Sequence, residues 1–121
     1  MAKYFHPSEF KACTPSCSIE QMDSAFLLLL DDIREYAGIP LVLNSAYRSP
    51  AYEKKHGRTG TSAHCQGLAV DILCRTSNNR YKIVKAALEC GVRRIGIGPT
   101  YIHIDMAGDH AQDVIWDYYG G

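Results

Sequence analysis

Ser62-Ala63-His64-Cys65-Gln66-Gly67-Leu68-Ala69-Val70-Asp71-Ile72 is the stretch around which the 121-residue chain is organised. Leu68, Val70 and Ile72 alternate with Ala69, Asp71 and Leu73, the period-two pattern of a half-buried strand. Asp71 therefore sits inside an apolar segment, where an ionised carboxylate is costly unless paired, hydrogen-bonded or bound to a metal. His64 lies just upstream, on a turn that Gly67 can tighten. A second histidine with a carboxylate follows in Tyr101-Ile102-His103-Ile104-Asp105-Met106. Alternation puts Ile102, Ile104 and Met106 on one face and His103 and Asp105 on the other. Two imidazoles and one carboxylate match the needs of a catalytic zinc, which keeps a fourth position for water. The residues alone leave other readings open. A strand histidine can be a hydrogen-bonded surface or core residue, and Asp71 can instead pair with Arg48 in a structural ion pair.

Outward from this stretch, the pattern predicts a small set of elements. Residues 1–17 read as irregular, with a short helical turn at His6-Pro7-Ser8-Glu9-Phe10. Ser18 and Gln21 make a capping box, predicting a helix that carries Met22, Phe26, Leu29, Leu30 and Ile33 on one face. Gly38 ends it and Pro40 blocks its resumption. Leu41 to Arg48 reads as a strand emerging into a loop, and Ser49-Pro50 caps a short helix reaching about Lys55. Gly57-Arg58-Thr59-Gly60-Thr61 is a glycine-bounded loop of the kind that borders sites. Asn78 or Asn79 caps a second long helix with Ile83, Val84, Ala87 and Leu88 on one face, closed by Gly91. Arg94 to Gly98 is a strand with Ile95 and Ile97 inward, and Pro99-Thr100 turns it into its hairpin partner, Tyr101 to Met106. The tail from Asp109 carries Trp116 and the pair Tyr118-Tyr119, and either packs over an edge or stays partly loose. The short final connections favour antiparallel pairing. The expected fold is α+β, a small antiparallel sheet with helices packed on it, in one domain over residues 1–121.

Composition narrows the function classes. Hydrophobic residues make up 46% of the chain, enough for a core without staples. Thirteen basic residues balance thirteen acidic ones, which argues against a nucleic-acid partner, since such binders carry a basic excess. Lys54-Lys55-His56-Gly57-Arg58 is a local basic run and reads as a solvated loop. The five cysteines are odd in number, so at least one is unpaired within a monomer. Cys13 and Cys17 are close enough for a local disulfide or half a metal site, while Cys74 and Cys90 read as small core residues. The apolar run from Ala25 to Leu30 is too short to span a bilayer, and Met1 to His6 does not read as a secretory leader. A soluble monomer without membrane insertion is expected.

Three ordered motifs add a resemblance. Ser45-Ala46-Tyr47-Arg48-Ser49, then Ser62-x-His64-x-x-Gly67-x-Ala69-x-Asp71, then Gly96-x-Gly98 leading to His103-x-Asp105, resemble the zinc D-Ala-D-Ala carboxypeptidase family. That family is grouped with lysostaphin-type peptidases and the hedgehog signalling domain, and the likeness is to its small single-domain phage and bacterial members. It extends from about Phe5 to Met106. The resemblance implies a hedgehog/DD-peptidase-like fold and a zinc metallopeptidase, of carboxypeptidase or endopeptidase type. Its substrate would be stem or cross-link peptides of bacterial peptidoglycan, cut by a metal-activated water. It implies one zinc per chain, bound by His64, Asp71 and His103. Arg48, with Tyr47 beside it, would meet a carboxylate or carbonyl of the substrate, and Ser62 would hydrogen-bond substrate near the metal. Localisation stays open at this point: with no secretory leader read in the chain, an endolysin-like protein held in the cytoplasm until release to the cell wall is one reading.

One departure from the family pattern stands out. Many relatives carry a catalytic Glu or Asp three residues before the second histidine ligand. Here that position is Thr100, which cannot act as a base at neutral pH. Asp105 is the expected substitute base, or else it orients a ligand. Another register makes Asp105 the metal ligand and His103 the group that stabilises a developing oxyanion. Thr100 also supports an alternative function, a non-catalytic zinc-containing module that grips cell wall. A metal-free domain with an Arg48–Asp71 pair is a third reading.

Overall fold

In the computed structural model, which describes residues 3–119, capping chemistry moves the helix boundaries. Ser18 and Gln21 do form a reciprocal cap, but around a single 3-10 turn, Ile19–Gln21. The chain then extends through Met22, and Asp23 starts the long helix by accepting the Phe26 amide at 2.9 Å. After α1 (Pro7–Lys11), this helix is α2 (Ser24–Ala37), closed by Gly38 in the left-handed region at φ 71°. The short helix α3 (Pro50–Lys55) is capped by Ser49 as expected. In α4 (Ser77–Glu89) the cap is Thr76, not Asn78 or Asn79, because the Thr76 hydroxyl accepts the Asn79 amide. Ile83 and Ala87 of the predicted apolar face are buried there, whereas Leu88 is exposed.

Five strands form one sheet in the order β1-β2-β4-β3-β5. They are β1 (Leu43–Ser45), β2 (Ala69–Leu73), β3 (Arg94–Ile97), β4 (Tyr101–Asp105) and β5 (Val114–Asp117). The first four pair antiparallel, as the hairpin pattern predicts, and β1 is shorter than the segment expected to form it. The tail is neither loose nor draped: β5 joins the edge beside β3, in parallel. Topology explains the direction. β4 ends at Asp105 opposite Arg94, and the chain re-enters at Val114 beside the same Arg94. It therefore runs back against β4 and with β3, making the sheet mixed. Arg93 fixes the re-entry by gripping both oxygens of Asp113, at 2.7 and 2.8 Å.

The helical layer covers one face of the sheet. Val70, Ile72, Ile95, Ile102 and Ile104 meet Phe26, Leu30, Ile33, Ile83 and Ala86 in the main core. Fully buried side chains of this size are each worth roughly 1.5–3 kcal/mol. That burial also fixes the strand register. A slip of one residue would put Asp71, His103 and Asp105 into the core and carry these aliphatics to the opposite face. Met106, expected inward with the isoleucines, lies past the end of β4 and is exposed. On the face away from the core, register aligns Ser45, Asp71, His103, Gly96 and Trp116 in one row across all five strands.

Candidate metal centre and cleft

Asp71 and His103 are direct cross-strand partners in β2 and β4. His64 reaches them from a 3-10 turn, Ala63–Gln66, that packs against the start of β2. Gly67 ends that turn at φ 71°, where an L side chain is strained and a Cβ would strike the Gln21 carbonyl. His64 thus lies on a helical turn and not in the strand. One potential ligand atom from each of His64, Asp71 and His103 lies within 4.8 Å of the other two.

Each imidazole is oriented by a partner on its far side. His64 Nδ1 bonds the Ala46 carbonyl at 2.6 Å, which turns Nε2 toward Asp71 Oδ1, 3.5 Å away. His103 Nε2 bonds Asp105 Oδ2 at 2.6 Å, and its Nδ1 faces Asp71 Oδ1 at 2.9 Å. Metal-binding histidines are commonly held this way, with the second ring nitrogen donating to a carbonyl or carboxylate. Burial would raise the Asp71 carboxyl, but hydrogen bonds and charge from His103 and His64 outweigh it and hold it well below the usual carboxylate range. Burial works against a charged His103. The hydrogen bonds it donates to Asp105 and Asp71, with their charge, override this and leave the imidazole more basic than usual.

Asp105 is 1% exposed and both its oxygens are engaged. Oδ1 accepts Arg94 Nε at 2.7 Å and the Ala107 amide at 3.1 Å, while Oδ2 faces His103. Burial alone would raise this carboxyl, yet His103, Arg94 and the Ala107 amide together keep it below its ordinary value. With Oδ1 and Oδ2 both occupied, Asp105 is arranged as a clamp on His103, the second of the two roles expected of it. Thr100 itself is exposed in the β3–β4 turn.

Arg48 is likewise committed. Its Nη2 holds Asp71 Oδ2 at 3.0 Å, its Nη1 meets Glu53 Oε2 at 3.3 Å, and its Nε donates to Ser45 Oγ at 3.0 Å. The expected Arg48–Asp71 pair exists, but it uses Oδ2 and leaves Oδ1 to the histidines. Ser62 lines the same cleft and donates its hydroxyl to Glu53 Oε2 at 2.8 Å. Tyr47 does not line the cleft: it packs against the main core, contrary to its expected place at the substrate.

The cleft encloses about 270 Å³ and is also lined by Glu53, Arg58, Arg94, Tyr101, Trp116 and Tyr118. None of these six was named as a site residue from the sequence, although Arg58 belongs to the glycine-bounded loop expected to border a site and Trp116 and Tyr118 to the aromatic tail. Glu53 had one usable signal, a carboxylate five residues after Arg48 on a helix whose proline start fixes its direction. It is fully buried, and its Oε1 has no partner among the described residues. Burial would raise its carboxyl, but bonds from Ser62, Cys65 and Arg48 hold it below its ordinary value. A larger groove of about 460 Å³ runs along α4 past Tyr81, Val84 and Leu88. It is mostly apolar and apart from these groups, so convergent charge, not size, marks the site. All five cysteines are free, and burial pushes the Cys13 thiol up to about 12. No helix among the described residues is long and apolar enough to cross a membrane.

Comparison with known proteins bears on the fold and the family. No curated protein matches the chain. Among solved structures, the fold is similar to that of the Serratia marcescens L-Ala D-Glu endopeptidase ChiX. The TM-score is 0.55 at 16% identity, over 88% of this chain and 90% of that one. The Peptidase M15 family model matches residues 3–105, which spans both histidines, Asp71 and Asp105. The chain therefore belongs to the peptidase M15 family.

Proposed function

We propose that this protein hydrolyses peptide bonds of bacterial peptidoglycan, using one zinc ion held by His64 Nε2, Asp71 Oδ1 and His103 Nδ1. The observation that carries the reading is the aim of these atoms. Both histidines spend one nitrogen on a fixed partner and direct the other at the same carboxylate oxygen. The donor set suits zinc. Donors around a tetrahedral zinc with bonds of about 2.0–2.1 Å stand roughly 3.3–3.4 Å apart. Asp71 Oδ1 stands 2.9 and 3.5 Å from the two imidazole nitrogens, on either side of that value, and a donor atom from each of the three residues lies within 4.8 Å of the others. When bound, the ion supplies Lewis acidity and a water acidic enough to attack near neutral pH.

The chain's own residues do the rest. Asp105 acts through His103, fixing its tautomer and ring plane. Arg48 acts through Asp71, holding Oδ2 so that Oδ1 remains for the metal. Ser62 spends its proton on Glu53, which leaves its oxygen to accept from a substrate amide. Glu53 Oε1 is the cleft's carboxylate oxygen without a partner among the described residues, and we assign proton transfer to it in preference to Asp105. The activity named for the structural neighbour favours an endopeptidase over a carboxypeptidase.

Two observations favour the non-catalytic alternative: Asp105 is sequestered, and Thr100 stands at the usual acidic position. A single experiment separates the two. Purified peptidoglycan is digested with zinc-loaded protein and the fragments are weighed by mass spectrometry. New peptide termini are expected. Tight wall binding without new termini would establish the binding module instead.

A further inference from the structure

Two features of the cleft are not used by the metal centre: an aromatic wall and an unspent cation. We propose that β5 and the loop after α3 make the cleft a receptor for an acidic peptide. In this arrangement Trp116, Tyr118 and Tyr101 seat the peptide beside the scissile bond, and Arg58 binds one of its carboxylates. The inference rests on the peptidase reading above.

The wall follows from the sheet register. Gly96 is the partner of His103 on one side and of Trp116 on the other. A Cβ at Gly96 would meet ring atoms of Trp116 and Tyr118 at 2.8 Å. The bare backbone there is what lets the indole lie over β3 and approach His103, with 5.5 Å between ring centroids. Tyr118 continues the surface, 6.3 Å from Trp116 and 5.4 Å from Tyr101. The Arg94 guanidinium stacks on Trp116 at 4.9 Å. The wall is fixed in place. The Tyr118 amide donates to Ile97 and the Tyr119 hydroxyl to Gly98, which Arg80 also bonds. Trp116 and Tyr118 lie beyond residues 3–105, so these two rings are additional to the matched family region.

The cation follows from charge accounting in the cleft. Arg48 is neutralised by Glu53 and Asp71, and Arg94 by Asp105. Arg58 also lines the cleft, and its side chain has no carboxylate partner among the described residues. Its position is built. Gly57 at φ 81° turns the chain back after α3, and the Arg58 amide caps Glu53 at 2.9 Å. A planar guanidinium beside amphipathic rings suits an acyl group that ends in a carboxylate.

The test compares hydrolysis of wall-derived peptides that carry free carboxylates with the same peptides amidated, using zinc-loaded protein. Wild type should prefer the acids by about tenfold or more in kcat/KM, the scale of one charge-assisted hydrogen bond. Arg58→Gln should erase the preference and Arg58→Lys should keep part of it. Trp116→Ala and Tyr118→Ala should raise KM for both peptide sets, with zinc content and kcat largely retained. The two single variants guard against misfolding of either one, and each is checked by its melting curve. Cleavage without acid preference, or equal losses on both sets in Arg58→Gln, would overturn the proposal and leave the peptidase reading intact. No cleavage of any wall peptide by wild type would remove both.

Discussion

His103 Nε2 lies 2.6 Å from Asp105 Oδ2, two residues further along the same strand, and Arg94 occupies the other oxygen of that carboxylate at 2.7 Å. Asp105 is thereby a clamp on His103, one of the three proposed zinc ligands. Replacing it with asparagine should weaken zinc binding by about 10–100-fold, the usual cost of losing such a partner. Excess zinc should restore most of the lost turnover. Zinc titration combined with kinetics checks this. Full zinc occupancy with abolished turnover would return Asp105 to the role of base.

Gly96→Ala should destabilise the fold. Its new methyl would stand 2.8 Å from rings of Trp116 and Tyr118, and overpacking of this kind costs about 1–3 kcal/mol. Urea unfolding measures the loss. Trp116→Ala in the same chain should recover part of it, because the two positions are register partners. Strict additivity would mean that the indole does not rest on Gly96.

Glu53 carries a pH signature whose sign is fixed. Its folded carboxyl is held below the ordinary value, so its stabilising contribution is complete above an unfolded pKa of about 4.3 and fades as pH falls through the folded value. The stability advantage of wild type over Glu53→Gln should be constant above about pH 5 and should shrink below about pH 4. Glu53→Ala should cost more, about 3 kcal/mol, because it strips a partner from the nearly buried Arg48. Glu53→Gln with wild-type kcat at neutral pH would exclude Glu53 from proton transfer. Denaturant titrations across pH and a rate measurement test both points.

Gly67→Ala meets two penalties at once. The left-handed backbone costs roughly 1–2 kcal/mol for a side-chain residue, and the methyl would collide with the Gln21 carbonyl. The Asp23 amide donates to Gly67 at 3.0 Å, so the entry to α2 should loosen together with the His64 turn. A clear drop in melting temperature and in zinc affinity is expected. An unchanged melting curve would contradict the packing described here.

The parts legible in the sequence were those governed by local pattern. Alternation assigned Ile102 and Ile104 to the core and His103 and Asp105 to the other face, and the β2–β4 register obeys it. Proline and serine at Ser49-Pro50 marked α3 to the residue. What escaped was decided by contacts between distant segments. The Ser18 capping box formed, but the collision course between Gly67 and Gln21 marks a tight crossing where the chain bends before α2 begins. The tail gave no alternation strong enough to announce a strand, since β5 owes its place to the Arg93–Asp113 clasp and the bare backbone of Gly96. For the same reason Trp116 and Tyr118 could not be assigned to the cleft. Nor did the basic run reveal that, of its exposed side chains, Arg58 lines the cleft while Lys54 and Lys55 do not.

The convergence of His64, Asp71 and His103 on one ion is tested most directly by calorimetric titration of zinc into chelator-stripped protein at neutral pH, with His64→Ala alongside. One tight site per chain is expected in the wild type, with that site lost in the variant. No tight binding to wild type, or an isotherm unchanged by the loss of His64, would contradict the account.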